Sequence, residues 1–93
     1  MAMADETAEA RLKRLTMRSW RRGMREMDLV LGPYADAYLA GMGPDRLSVY
    51  EKLLDQDDQD VLGWMLGRDP PPAELSGLVS DIRAFVGTRK AVT

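Results

Sequence analysis

Ala73-Glu74-Leu75-Ser76-Gly77-Leu78-Val79-Ser80-Asp81-Ile82-Arg83-Ala84-Phe85-Val86 carries the strongest periodicity in this 93-residue chain. Leu75, Leu78, Val79, Ile82, Phe85 and Val86 recur at spacings of three and four. That places them on one stripe of an α-helix, whereas a strand would scatter them over both of its faces. The spacing predicts a fifth helix after Pro70-Pro71-Pro72, apolar toward a core, with Arg83, Arg89 and Lys90 near the negative pole of its dipole. Just upstream, Gly67 and Pro70-Pro71-Pro72 end one element and restart the chain, because glycine accepts a left-handed helix end and proline lacks the donor to continue.

The same period recurs toward the N-terminus. Asp57-Asp58-Gln59-Asp60 offers capping oxygens and negative charge for a fourth helix that reaches about Leu66. It carries Val61, Leu62, Met65 and Leu66 with Trp64 beside them, and Gly63 weakens it by about 1 kcal/mol relative to alanine. Leu47, Tyr50, Leu53 and Leu54 define a third helix over 44–55, with Pro44 suited to its first position after the stop Gly41-Met42-Gly43. Met24, Met27, Leu31, Tyr34 and Tyr38 form the stripe of a second helix, in which Gly32-Pro33 predicts a kink or a short break. Residues 6–21 place Ala8, Leu12, Leu15 and Ser19 or Trp20 on one face of a first helix. Gly23 interrupts the pattern, either ending that helix in a left-handed turn or capping the next. No segment alternates with period two. The expectation is an all-α protein, a compact bundle of five short helices forming a single domain over 1–93, with 1–5 and 90–93 frayed.

A chain of this length hides about 60–65% of the surface that its unfolded form exposes, enough for one core. No apolar run approaches the roughly 18 residues of a membrane span, so no membrane partner is expected. The acidic start Met1-Ala2-Met3-Ala4-Asp5-Glu6 is unlike a signal or transit peptide, and the cytoplasm is the expected compartment. Neither histidine nor cysteine occurs anywhere. Zinc sites lose their usual ligands, and proton transfer near neutral pH loses its usual residue. Ser-His or Cys-His nucleophiles are excluded, and so are the residues through which flavin is commonly tethered. These absences argue against an enzyme.

Charge is segregated along the chain. Residues 1–27 hold seven Lys/Arg against four Asp/Glu, residues 28–81 hold three against eleven, and residues 82–93 add three cations. The plain reading is a set of solvated helix faces. The alternative is a basic region and an acidic region that orient a partner. A small basic helical bundle could also contact nucleic-acid phosphates through Arg11, Lys13, Arg14, Arg18, Arg21, Arg22 and Arg25. The net charge of −2, the pI of about 5.0 and the absence of a recognisable recognition helix count against that.

Between the first two helical patterns stands Trp20-Arg21-Arg22-Gly23-Met24-Arg25-Glu26-Met27-Asp28. Read residue by residue, Gly23 is a helix terminator, Glu26 a first-turn acid, and Arg22 a solvated arginine whose planar fork also suits a carboxylate or backbone carbonyls on a partner. Trp20 and Trp64 divide evenly between core packing and partner contact. Together, however, these residues resemble the R-R-G-x-x-E-x-D block of the SdhE-type succinate dehydrogenase flavoprotein assembly factors. Tyr50-Glu51-Lys52-Leu53-Leu54-Asp55 is similar to that family's third-helix block, and Asp58-Gln59-Asp60-Val61-Leu62-Gly63-Trp64 to its fourth-helix D-x-D block ending in tryptophan. The three blocks stand in the family's order, and the resemblance covers about residues 11–88.

The resemblance implies a five-helix protein, a monomer when free, that binds the flavoprotein subunit of succinate dehydrogenase or of fumarate reductase. It would hold that subunit in the geometry in which FAD attaches to it covalently. The attachment chemistry belongs to the client, and the chain itself would hold no cofactor stably. Trp20, Arg21, Arg22, Gly23, Glu26 and Asp28 are the expected partner-binding residues, and no catalytic or metal-binding residue is expected. Some members of the family are described as antitoxins, which leaves a small antitoxin-like or nucleic-acid-binding protein as the alternative.

Overall fold

The computed structural model describes residues 6–92, with side chains described through Gly87. Its helices are α1 (Ala8–Trp20), α2 (Arg25–Tyr38), α3 (Pro44–Leu54), α4 (Asp58–Met65) and α5 (Ala73–Val92). The described residues contain no strand. The expected fraying at 1–5 and 90–93 falls at or beyond the limits of this description.

Each boundary has a local cause. Thr7 opens α1, its hydroxyl oxygen accepting from the Ala10 N–H at 3.0 Å. Asp57 opens α4 in the same way, its carboxylate accepting from the Gln59 N–H at 3.0 Å. Both satisfy donors that a helix start leaves unpaired. Pro44 occupies the first turn of α3, where its missing donor costs nothing. A short 3-10 turn over Leu39–Gly41 joins α2 to that proline. The end of α4 closes on Gly67 at φ 75°, with the Arg68 N–H on the Gly63 carbonyl at 2.9 Å and the Gly67 N–H on the Trp64 carbonyl at 3.2 Å. That is the paired pattern of a left-handed glycine cap. Of the kink or short break expected at Gly32-Pro33, the break does not occur: α2 runs on through Pro33 to Tyr38. The carbonyl that Pro33 leaves unpaired belongs to Leu29, which is exposed and can turn to water.

The core draws on every helix. Leu15, Met27, Leu31, Tyr50, Leu53, Val61 and Ile82 are fully buried, and Trp64 joins them at 7% exposure, which assigns that tryptophan to the core. Tyr34 packs against Tyr50, Tyr38 and Phe85, with ring centroids 6.1, 4.9 and 5.7 Å away. Of the alternatives on the first stripe, Ser19 is buried and Trp20 faces outward.

Among the described residues, Ser19 is the one buried residue that is neither apolar nor aromatic in character. Its hydroxyl donates to the Leu15 carbonyl at 2.9 Å and lies 2.6 Å from the Tyr50 hydroxyl. Burial pushes the Tyr50 phenol up to about 12, with the Ser19 bond offsetting part of the rise. Because the folded value lies above the unfolded value of about 10, the neutral ring stabilises the fold fully below pH 10 or so. That contribution, about 2–3 kcal/mol, is lost as pH rises toward the folded value. Urea midpoints should therefore fall steeply between about pH 10 and 12, and Tyr50→Phe should remove at least half of the fall. An unchanged alkaline arm in Tyr50→Phe would refute this assignment.

Candidate partner-binding face

The cations of α1 divide into two stripes. Arg11, Arg14 and Arg18 recur every three or four residues and face α3, whose Glu51 and Asp55 lie four residues apart. Arg11 and Arg14 reach opposite oxygens of Glu51 at 3.3 and 2.9 Å, and Arg14 also holds Glu6 through two bonds of 2.8 and 3.0 Å. Arg18 reaches Asp55 at 3.1 Å and the Leu54 carbonyl at 3.2 Å. The hydrogen bond from Arg14 holds the Glu51 carboxyl below the usual carboxylate range, with Arg11 adding to it. This contribution is present above the unfolded carboxylate value and lost as pH falls through the lower folded one. Part of the segregation seen along the chain is therefore resolved inside the molecule, with the arginines of α1 laid against Glu51 of α3 and Asp55 at its end.

Arg22 completes that stripe from the turn after α1. Its guanidinium meets Asp58 Oδ1 through Nε at 2.7 Å and Nη2 at 2.6 Å. It also donates to the Gln56 carbonyl at 2.9 Å and to the Leu54 carbonyl. Helix α3 ends at Leu54 with Gln56 where a capping glycine would stand, and the Leu54 carbonyl and the Gln56 carbonyl beyond it take donors from elsewhere. Arg18 and Arg22 supply them, with positive charge at the negative pole of the helix. The Arg22 side chain is only 8% exposed. The solvated Arg22 of the sequence reading is thus corrected: its fork is occupied by this chain's own carbonyls and carboxylate. Asp28 is likewise drawn inward, its Oδ1 accepting the Arg22 backbone N–H at 2.7 Å.

This double anchoring presents the turn above it. Gly23 stands at φ 84° between the two helices, exposed, with nothing within 4 Å of where a Cβ would project. Met24 takes the cap position of α2, so Gly23 lies one residue before the cap rather than at it. Only the left-handed backbone demands glycine here, since the space above is open. Arg21 and Arg25 flank the turn, exposed, and Glu26 projects from the first turn of α2, exposed as well.

Trp20 is half packed and half open. Its ring lies flat on Gly32 of α2, where any Cβ would stand inside it, and its Nε1 donates to Asp36 at 3.3 Å. It nonetheless remains 39% exposed. Gly32 is thus a seat that lets the two helices approach, a role its proline neighbour obscured in the sequence.

The structure therefore brings Trp20, Arg21, Gly23 and Glu26 to one end of the α1–α2 pair and sets Arg22 and Asp28 beneath them as anchors. Sequence reasoning missed Met17 and Leu29, exposed apolar residues at 45% and 54%. Their signal was present in the spacing, since neither belongs to the buried stripe of its own helix. Among the described residues no cluster of three or more carboxylates is arranged to hold a metal, and no helix is long and apolar enough to cross a membrane.

The sequence matches the family model described as the flavinator of succinate dehydrogenase over residues 13–86. The FAD assembly factor SdhE of Pseudomonas aeruginosa is 41% identical over 78 residues, covering 83% of this chain and 88% of that protein. The mitochondrial succinate dehydrogenase assembly factor 2 of Yarrowia lipolytica is 41% identical over 64 residues, 69% of this chain and 44% of its own length. Its counterpart in Schizosaccharomyces japonicus is 30% identical over 91 residues, 96% of this chain and 64% of its own length. The chain thus spans most of the bacterial relative and less than two thirds of these two mitochondrial ones. No solved structure matches it.

Proposed function

The chain belongs to the family of succinate dehydrogenase flavinators, and we propose that it binds the flavoprotein subunit of that enzyme in the cytoplasm and promotes covalent attachment of FAD to it. The same face would serve a fumarate reductase flavoprotein, whose chemistry is the same. The observation that carries this reading is the Gly23 turn, left-handed and open to solvent, with Glu26 exposed beside it and Arg22 and Asp28 anchoring it from below. A rigid turn without a side chain at its crest lets a partner backbone come close, while Glu26 offers an acceptor next to it. Such a surface can hold a flexible client in one geometry and so raise the frequency of a reaction that the client performs on itself.

The chain makes no bond and retains no flavin in this scheme, in keeping with a sequence that lacks both histidine and cysteine. The nucleic-acid alternative loses support from the fold: Arg11, Arg14, Arg18 and Arg22, four of the seven cations it needed, are paired with the chain's own carboxylates. The test is reconstitution with apo-flavoprotein subunit, FAD and the purified chain, followed by denaturation and measurement of the flavin still attached. The expected result is covalent flavin that accumulates at least about 10-fold faster with the chain than without it, equivalent to lowering a barrier by about 1.4 kcal/mol. Equal rates, with no complex on gel filtration, would overturn the proposal.

A further inference from the structure

The cations that α1 and the turn do not spend internally fall on one surface. Along α1 the helical period places Lys13, Met17 and Trp20 on the outward face, Arg21 follows at the C-cap, and the paired Arg14 and Arg18 border that face beside Met17. Along α2 it places Arg25, Leu29, Gly32 and Asp36 together, and the Trp20 ring bridges the two helices by lying on Gly32. Lys13, Arg21 and Arg25 are exposed and have no ion pair among the described residues. Lys13 and Arg21 stand four residues either side of Met17, and Arg25 four residues before Leu29, so they neighbour three of the exposed large apolar side chains, Met17, Trp20 and Leu29. Around Met17 the stems of Arg14, Arg18 and Arg21 wall a shallow apolar groove of about 380 Å³.

From this partition we infer that the outward α1–α2 face docks an acidic amphipathic segment of the flavoprotein, with an apolar side chain in the Met17 groove and carboxylates on Lys13, Arg21 and Arg25. The inference rests on the proposed binding of the flavoprotein and specifies which of its surfaces meets this chain. Lys13 and Arg21 stand eight residues apart, about 12 Å along the helix. The partner's outer carboxylates should therefore be separated by about two helical turns, or by three to four residues of extended chain. A second copy of this chain does not supply such a segment from the end of α3 and the start of α4, because Glu51, Asp55 and Asp58 are already paired. A polyphosphate backbone would leave the apolar centre of the face uncovered.

The probe is the apo-flavoprotein subunit, with association and dissociation rates measured at low and high ionic strength. The comparison sets Lys13→Glu/Arg21→Glu against Arg68→Glu/Arg83→Glu. The two pairs change net charge equally, and Arg68 and Arg83 lie exposed near α4 and on α5. The first pair should slow association about 10- to 100-fold at low salt and flatten its salt dependence, with unchanged melting temperature. The second should change the rate less than about 3-fold. Met17→Ala/Leu29→Ala should instead speed dissociation, by at least about 10-fold. Equal effects of the two charge reversals would overturn the inference. So would transfer of the Lys13/Arg21 dependence to anionic vesicles or duplex DNA, or to self-association of the chain. If Glu26→Ala abolishes client binding while Lys13→Glu/Arg21→Glu leaves it intact, this inference fails and the proposed function stands. If the unaltered chain does not bind the client, both fail.

Discussion

Arg22→Ala should cost the isolated protein about 3 kcal/mol and lower its melting temperature by about 12–24 °C. The guanidinium joins three parts of the fold that are distant in sequence: the α1–α2 turn, the end of α3 and the start of α4. Removing it leaves Asp58 without its counter-ion and the Gln56 carbonyl without this donor, in a site where the arginine side chain is 8% exposed. Hydrogen bonds to charged groups are worth about 1.5–3 kcal/mol each. The sum is discounted because Asp58 is 28% exposed and can regain water, and because the Leu54 carbonyl keeps Arg18. Arg22→Lys should recover less than half of the loss, since a point ammonium cannot span acceptors that the planar fork meets together. Asp58→Asn should cost only about 1 kcal/mol, because the carbonyl bonds survive. Chemical denaturation of the three variants measures this directly. A cost below about 1 kcal/mol for Arg22→Ala would show that the guanidinium is not a latch.

This expectation reverses the one drawn from the sequence, where a nearly neutral Arg22→Ala follows from reading the arginine as solvated. Arginines are mostly exposed, and R-R-G between two helices carries no mark of which arginine turns inward. The missing information was long-range: Arg22 and Asp58 are 36 residues apart. A partial clue lay elsewhere, in the absence of a glycine after Leu54, which left the carbonyls at the end of α3 in need of donors. Nothing local says which arginine would supply them.

The fold itself was more legible, because helical boundaries are set locally. Thr7, Pro44, Asp57 and Gly67 each act within a few residues of their own position. The stripes Leu75-Leu78-Val79-Ile82 and Leu47-Tyr50-Leu53-Leu54 are buried as their spacing requires. Misreadings occurred where tertiary contact overrides local preference. Gly32-Pro33 reads as a kink or a short break, yet the Trp20 ring needs the glycine and the helix continues without a break. Tyr38, placed on the same stripe as Tyr34, is 48% exposed, with one part of its ring packed against Tyr34 and Phe85 and the rest open to solvent. At the candidate site, the motif located Gly23 and Glu26 at a helix junction. The division of the α1 cations into paired and free stripes required the packing of α3.

The largest functional effect should come from the crest of the turn. Glu26 is exposed in the first turn of α2, so Glu26→Ala should cost no more than about 1 kcal/mol of stability. Gly23→Ala should cost about 1–2 kcal/mol, the steric cost of a left-handed backbone, because open space receives the new methyl. Both residues present their changes to solvent rather than to the core. The decisive measurement is covalent FAD incorporation into the flavoprotein subunit and thermal unfolding, made on the same preparations of the unaltered chain, Glu26→Ala and Gly23→Ala. The expected result is flavin incorporation reduced at least about 10-fold at limiting chain concentration, a loss of about 1.4 kcal/mol of complex stability, while each variant remains folded at the assay temperature. Full incorporation with folded Glu26→Ala, or losses that merely track the unfolded fraction, would contradict the claim that this exposed turn is the surface through which the chain acts.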